Sequence, residues 1–295
     1  MKSILKRRGF PFVGLIALFV SGCGADAAVV WPISAETKTD FPLSSTFGPR
    51  IHTDSGVYDF HRGIDIAVPT GTDIHAIAAG TVVQIEQNTS AGGMLVQLEH
   101  AGYFSNYIHA SSAEVEVGAK VDAGDVIAKS GKATNGFEHL HFEIRRPDDI
   151  KGNCVHPLNI LPYGDNSAPT LTLGAVDTTT PTAPKVTAKI EIPASEADLK
   201  RVSVKTFDGE KQLSEQVYDI EDWNRTWTID SSDKIVDDPN HEGIQVRPAK
   251  YNNAVGTYSI EFTFTKLVGP ASATTLKVHV EAMDVHEHIV SVDSP

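Results

Sequence analysis

The chain has 295 residues, 41% of them apolar and 21% charged, which is enough to build two cores and too apolar for global disorder. Lys and Arg number 25 against 38 Asp and Glu, a formal net charge of −13. That balance repels phosphate backbones and excludes nucleic acid as a partner.

The N-terminus carries Lys2, Lys6, Arg7 and Arg8, followed by an apolar run from Phe10 to Val20 that ends in small residues. This is the order of a secretory signal, and the run is too short for a comfortable spanning helix. Its end, Val20-Ser21-Gly22-Cys23, resembles the bacterial lipobox. The resemblance implies that residues 1–22 are removed, that Cys23 is acylated and anchors the chain to a membrane, and that residues 23–40 are a tether. Such an anchor holds through its buried methylenes, and its expected place is the cell envelope, on the periplasmic face of the outer membrane. A plain secretory signal cut between Ala25 and Ala28, giving a secreted protein, is the alternative. Cys154 is the only other cysteine. With Cys23 lipidated it has no disulfide partner and reads as a small buried residue.

From Phe41 to Pro162 short runs rich in Val and Ile are separated by glycines: "HRGIDIAV", "GTVVQIEQ", "GMLVQLEH", "YFSNYIHA", "DVIAKSG" and "HLHFEIR". Runs of this length and composition predict an antiparallel β domain, placed at residues 41–163. Glycines 48, 63, 71, 80, 118, 124 and 131 read as turn residues with special backbone angles. A stretch rich in Pro, Thr, Asp and Gly follows and marks a linker over residues 164–184. Beyond it the alternation of period two is clean: Val186, Ala188, Ile190 and Ile192; Tyr258, Ile260, Phe262 and Phe264; Val278, Val280 and Ala282. Residues 185–295 are therefore expected to form a β-sandwich of immunoglobulin or fibronectin type, giving an all-β protein.

Candidate chemistry lies in the first domain. His61 and Asp65 are four apart, and the strand-like "IDIAV" with Gly63 favours an extended segment on which both share a face. His139, His141 and Glu143 fall on one face of a strand, with Leu140 and Phe142 on the other. An H-x-H pair is weak evidence alone, because His286 and His288 have the same spacing beside only scattered acids such as Asp284. What distinguishes the first pair is company: His61, Asp65 and His109 belong to the same domain. Hydrolytic zinc wants three nitrogen or oxygen ligands and an open position, a count that two His and one Asp satisfy.

The stretches "STFGPR", "HRGIDIAVPTGT", "AIAAGTVV", "YIHA", "VEVGAKVDAGDVIAKSG" and "HLHFEIR", followed by "HPLNILPY", occur in that order. In them residues 41–162 resemble the lysostaphin-type zinc endopeptidases, the LytM-domain family of peptidoglycan hydrolases. The resemblance implies that His61, Asp65 and His141 hold one Zn²⁺ per chain, and that His109 and His139 are the catalytic pair. It implies a peptidoglycan peptide as substrate, with one histidine accepting a proton from water and the other stabilising the oxyanion or protonating the departing amine. There is no H-E-x-x-H, so no glutamate base of that type. Departures from the family pattern are Phe137-Glu138 before the H-x-H, the loop from Asn88 to Gly93, and Ala110 after His109. They bear on specificity and remove no ligand.

Glu143 reads either as a partner of a ligand imidazole or as a solvated residue, and Arg50 either as a substrate carboxylate binder or as a structural ion pair. His52, His75, His100 and His156 match no position that carries chemistry, with His75 and His100 the ones placed to line a groove. A rival function is a non-catalytic LytM-like regulator that activates another wall hydrolase, though ligands are typically missing from such relatives. A biotinyl or lipoyl type of carrier is a second rival, since "VEVGAKVDAGDVIAKSG" has their hairpin pattern. Lys120, Lys129 and Lys132 lack its hairpin-tip setting. For the C-terminal domain the expectation is a binding or spacing role.

Overall fold

The computed structural model describes residues 29–34, 43–51, 58–87, 90–165, 167–193, 198–223, 236–237, 243–252 and 257–294. The expected leader, Cys23 and His52 lie outside these residues. Among the described residues no helix is long and apolar enough to cross a membrane.

The glycine-punctuated runs become twelve strands: β1 (Leu43–Ser45), β2 (Gly48–Ile51), β3 (Tyr58–His61), β4 (Ile64–Ile66), β5 (Asp73–His75), β6 (Gly80–Gln87), β7 (Met94–His100), β8 (Tyr103–Ala113), β9 (Lys120–Val121), β10 (Val126–Lys132), β11 (Glu138–Arg145) and β12 (Cys154–Val155). All but β2 and β3 join one antiparallel sheet, ordered β1-β4-β11-β10-β8-β7-β6-β9, with β12 on β11 and β5 on β10. The alternation expected for "HLHFEIR" places Leu140, Phe142 and Ile144 in the core beside Ile64, Ile66 and Tyr107, all fully buried. His139, His141 and Glu143 are left for the other face. Register then sets the site, because His141 of β11 lies opposite Asp65 of β4 on one side and opposite Ile108 of β8 on the other.

The stretch "HRGIDIAV" is not the single extended segment expected. β3 ends at His61 and β4 begins at Ile64, so the two residues reach one place from separate strands. Gly63 shows why the chain breaks there. A Cβ at this position would stand 2.2 Å from the Phe142 carbonyl oxygen, so the backbone passes in contact with β11. Gly63 and Gly131 lie outside the left-handed region and are required for space, not for angle; Gly48, Gly71, Gly118 and Gly124 do have positive φ.

The C-terminal part contains β13 (Thr170–Leu173), β14 (Val186–Pro193), β15 (Leu199–Asp208), β16 (Lys211–Asp219), the single-turn helix α1 (Ile220–Trp223), β17 (Val236–Asp237), β18 (Ile244–Asn252), β19 (Thr257–Phe264), β20 (Leu276–Asp284) and β21 (Ile289–Asp293). β14 and β19 bury every second residue, as the sequence pattern requires. Two sheets result, β13-β14-β19-β18 and β16-β15-β20-β21. Their apolar faces meet: the rings of Tyr218 on β16 and Phe264 on β19 lie 6.0 Å apart.

The first of these sheets does not stop at β18. Its next strand is β2, paired parallel at Ala249 and Arg50, and then β3. The β2–β3 hairpin, which lies in the expected first domain, thus extends a sheet of the C-terminal part. Residues 29–34, within the expected tether, are also packed: Trp31 and Ile33 are buried, and the Trp31 Nε1–H donates to the Pro162 carbonyl at 2.6 Å.

Gly63→Ala is expected to lower unfolding free energy by about 2–4 kcal/mol, because backbone must move to admit the methyl group. Urea denaturation followed by intrinsic fluorescence would measure this, and an unchanged midpoint would mean that β4 and β11 are not in the close contact described.

Candidate metal centre

Three strands deliver the candidate ligands: His61 ends β3, Asp65 is the middle residue of β4, and His141 faces them from β11. His61 Nε2 lies 2.9 Å from His141 Nδ1 and 3.2 Å from Asp65 Oδ1, and His141 Nδ1 lies 2.8 Å from the same oxygen. One donor atom from each residue falls within 4.8 Å of the others, so the three could hold a metal ion. All three side chains are at least 87% shielded, with 2%, 12% and 13% exposure for His61, Asp65 and His141.

Each of the three is also gripped from behind. His61 Nδ1 is 2.6 Å from the Thr46 carbonyl, which can only accept, so Nδ1 carries the hydrogen and Nε2 turns its lone pair inward. Asp65 directs Oδ1 inward while Oδ2 accepts from Arg50 Nη1 at 3.1 Å. His141 Nε2 is 3.1 Å from Glu143 Oε1, and Glu143 Oε2 accepts from both Nε and Nη2 of Arg145 at 2.9 and 2.6 Å. The donor set and its orientation fit a divalent ion of the zinc type, which takes imidazole nitrogen and carboxylate oxygen together.

Electrostatics follow from burial and pairing. Burial, with Arg50 nearby, lowers the His61 imidazole to about 4 despite Asp65. For His141 burial works in the same direction, but its hydrogen bonds to the Asp65 and Glu143 carboxylates outweigh it and raise the metal-free ring to about 9. Burial opposes the charge on Glu143 as well, and contacts with His141 and Arg145 overcome it, bringing the carboxyl down to about 2.

His109 and His139 stand beside the three. Their ring centroids are 4.7 Å apart, and His109 is 6.1 Å from His141. His109 Nδ1 is held by the Gly92 carbonyl at 2.9 Å and His139 Nδ1 by the Phe137 carbonyl at 3.1 Å, so both present Nε2 as the free nitrogen. His139 Nε2 lies 3.7 Å from Asp65 Oδ1. His109 is lowered to about 4, first by burial, and is therefore neutral near pH 7. Its φ of 69° lies in the left-handed region, unusual for a non-glycine residue.

Arg50 is an ion-pair partner of Asp65, and Glu143 is the partner of His141. Cys154 is buried with its thiol raised to about 12, first by burial, so it is no nucleophile. His75 holds the Gly124 carbonyl, His100 the Ala79 carbonyl and Ser105, and His156 caps Leu158; none of the three joins the cluster. The pair His286 and His288 has closer company than scattered acids: Asp165, Asp198 and Asp284 gather around it. Thr46 is the functional residue that sequence reading missed, because its contribution is a backbone carbonyl.

Residues 59–157 match the model of Peptidase family M23. The chain contains an M23 domain of the LytM and lysostaphin type. It is 34% identical over 143 residues to the uncharacterized lipoprotein YgeR of Escherichia coli strain K12, covering 46% of this chain and 55% of that protein. It is 36% identical over 129 residues to the murein hydrolase activator NlpD of the same organism, covering 42% of this chain and 33% of NlpD. The chain therefore spans between a third and about half of the length of these relatives. Among solved structures, the catalytic domain of lysostaphin from Staphylococcus simulans aligns at 26% identity with a TM-score of 0.38, covering 41% of this chain and 92% of that one. All five candidate residues lie within the matched M23 segment.

Glu143→Gln is expected to weaken divalent-ion binding by roughly 10- to 100-fold, the range typical of lost ligand-orienting partners. Competition against a chromogenic chelator would read it, and unchanged affinity would show that His141 is oriented without Glu143.

Proposed function

We propose that the chain is a zinc-dependent endopeptidase that cuts peptide bonds in bacterial peptidoglycan. His61, Asp65 and His141 hold the ion, and His109 and His139 serve catalysis. The observation that carries this reading is the convergence of two imidazoles and one carboxylate, each oriented from behind, with two further imidazoles presenting free Nε2 atoms beside them. The M23 match supports the reaction class. When bound, Zn²⁺ supplies Lewis acidity toward the scissile carbonyl and brings the pKa of water down toward about 7.

The chain's own residues supply the proton handling. His109 is neutral with Nδ1 occupied, so its Nε2 accepts the proton from the attacking water. His109 then returns this proton to the departing amine, and His139, whose Nε2 lone pair accepts a second hydrogen from the same water, orients it for attack. Asp65 offsets part of the ion's charge, and Arg50 in turn offsets part of the Asp65 charge. The chain further takes acylation at Cys23 and a place on the periplasmic side of the outer membrane, a reading that the likeness to a lipoprotein supports. Residues 41–163 are the peptidase domain, and residues 185–295 are an immunoglobulin-like sandwich.

The likeness to NlpD favours a second reading, in which the domain activates another wall hydrolase without turning over substrate. The complete set of five residues argues for the first.

Digestion of defined peptidoglycan by the chain from residue 24 onward, read as muropeptide masses, separates the two. Chelator-sensitive release is expected, with His141→Ala losing both bound zinc and release. His109→Ala is expected to keep stoichiometric zinc and lose at least about 100-fold in rate. Wild-type protein that holds zinc yet releases nothing from several wall types would favour the activator.

A further inference from the structure

The C-terminal sandwich touches the first domain at the groups that hold the candidate ligands from behind. β2 carries Arg50, the partner of Asp65, and is hydrogen-bonded to β18 of the sandwich at that residue. β3 pairs with β2 through Gly48 and His61, so the strand that ends in His61 is the last strand of a sandwich sheet. Thr46, whose carbonyl fixes the His61 tautomer, lines a small apolar cavity with Phe47, Ile192, Leu199, Ile220 and Ile260, the last four from the sandwich.

Helix α1 closes the contact. Ile220 is buried, and its Cγ2 would stand 2.8 Å from a Cβ on Gly48, whose φ of 103° already excludes most side chains. The next residue, Glu221, accepts from the His156 backbone N–H at 3.0 Å and from Asn159 Nδ2 at 2.6 Å. The His156 ring lies 5.1 Å from Phe47, and Phe47 lies 5.3 Å from Phe60 of β3. The sandwich thus grips residues 46–50 through Ile220 and, through Glu221, the turn at His156 that packs on them.

We propose that the sandwich is part of the metal centre's support, with Ile220 and Glu221 as positioning residues for Thr46, Arg50 and His61. This rests on the reading of His61, Asp65 and His141 as metal ligands. A domain that only tethers the enzyme or binds the wall would meet the peptidase domain away from its ligand-orienting groups, whereas this one shares a strand with a ligand. Moving α1 or β18 displaces Thr46 and Arg50, and with them the lone pairs aimed at the ion.

The test uses the whole chain from residue 24 and four proteins: wild type, Ile220→Ala, Glu221→Ala and Val280→Ala. Val280 is fully buried on β20 in the opposite sheet, and its truncation lowers stability without touching residues 46–50. Zinc affinity is measured by chelator competition below the melting range of all four, and visible absorption of the Co²⁺-loaded forms reports ligand geometry directly. Ile220→Ala and Glu221→Ala are expected to weaken zinc binding about tenfold or more and to change the Co²⁺ bands, with Val280→Ala matching wild type in both. Ile220→Val, a milder truncation, is expected to fall between and replaces Ile220→Ala if that variant does not fold. Equal affinity and equal bands in all the proteins would overturn the proposal, and so would Val280→Ala losing as much affinity as the α1 variants. Wild type that binds no zinc would defeat the ligand assignment itself, a result distinct from either.

Discussion

Everything at this site depends on the hydrogen bond each candidate ligand makes on its outer side. An imidazole offers two nitrogens and a carboxylate two oxygens, so a cluster of such groups has many arrangements and only one that aims every lone pair inward. The Thr46 carbonyl at His61, Arg50 at Asp65 and Glu143 at His141 select it. They also solve a charge problem. Asp65 and Glu143 are buried carboxylates, each costing several kcal/mol if left unpaired, and Arg50 and Arg145 stand against them.

The same logic explains why His109 has a strained backbone. β8 pairs with β11 from Phe104 to Ile108 and with β10 from Ala110 onward, so His109 sits where the strand changes partner. The register against β7 shifts at the same place, between Met94 and Val96. A bulge of this kind re-aims one side chain. A left-handed non-glycine residue costs on the order of 1–3 kcal/mol and persists only where its surroundings fix it. Gly93 and Gly131 do so by contact: a Cβ on either would fall within 2.7 Å of His109 backbone atoms. Strain at His109 thus brings its ring beside candidate ligands held by regular pairing.

The parts of this that could be read from sequence are those written in side-chain pattern. Alternation in "HLHFEIR" assigned Leu140 and Phe142 to the core and His141 to the site, and the clean period of β14 and β19 marked one of the two C-terminal sheets. The five candidate residues were legible because they are side chains at set places in matching blocks. What escaped is written in backbone and in distant pairing. The Thr46 carbonyl has no residue-type signal, and the break between His61 and Ile64 depends on contact with Phe142, which lies far along the chain. The pairing of β2 with β18 joins residues some two hundred positions apart, and no local pattern marks it.

The two H-x-H pairs make the limit of spacing concrete. His139 and His141 share their spacing with His286 and His288, and acids gather around both. What differs is enclosure and orientation. His141 is 13% exposed and locked between Asp65 and Glu143, while His286 and His288 keep 35% and 37% of their side chains in solvent. The hydrogen bond to Asp284 raises His288, which favours a protonated ring paired with Asp284 and Asp165. That ion pair ties the segment after Tyr163 to the β20–β21 turn. Identical spacing therefore yields an oriented candidate ligand where the side chain is enclosed between two carboxylates, and a charged surface contact where it is partly exposed.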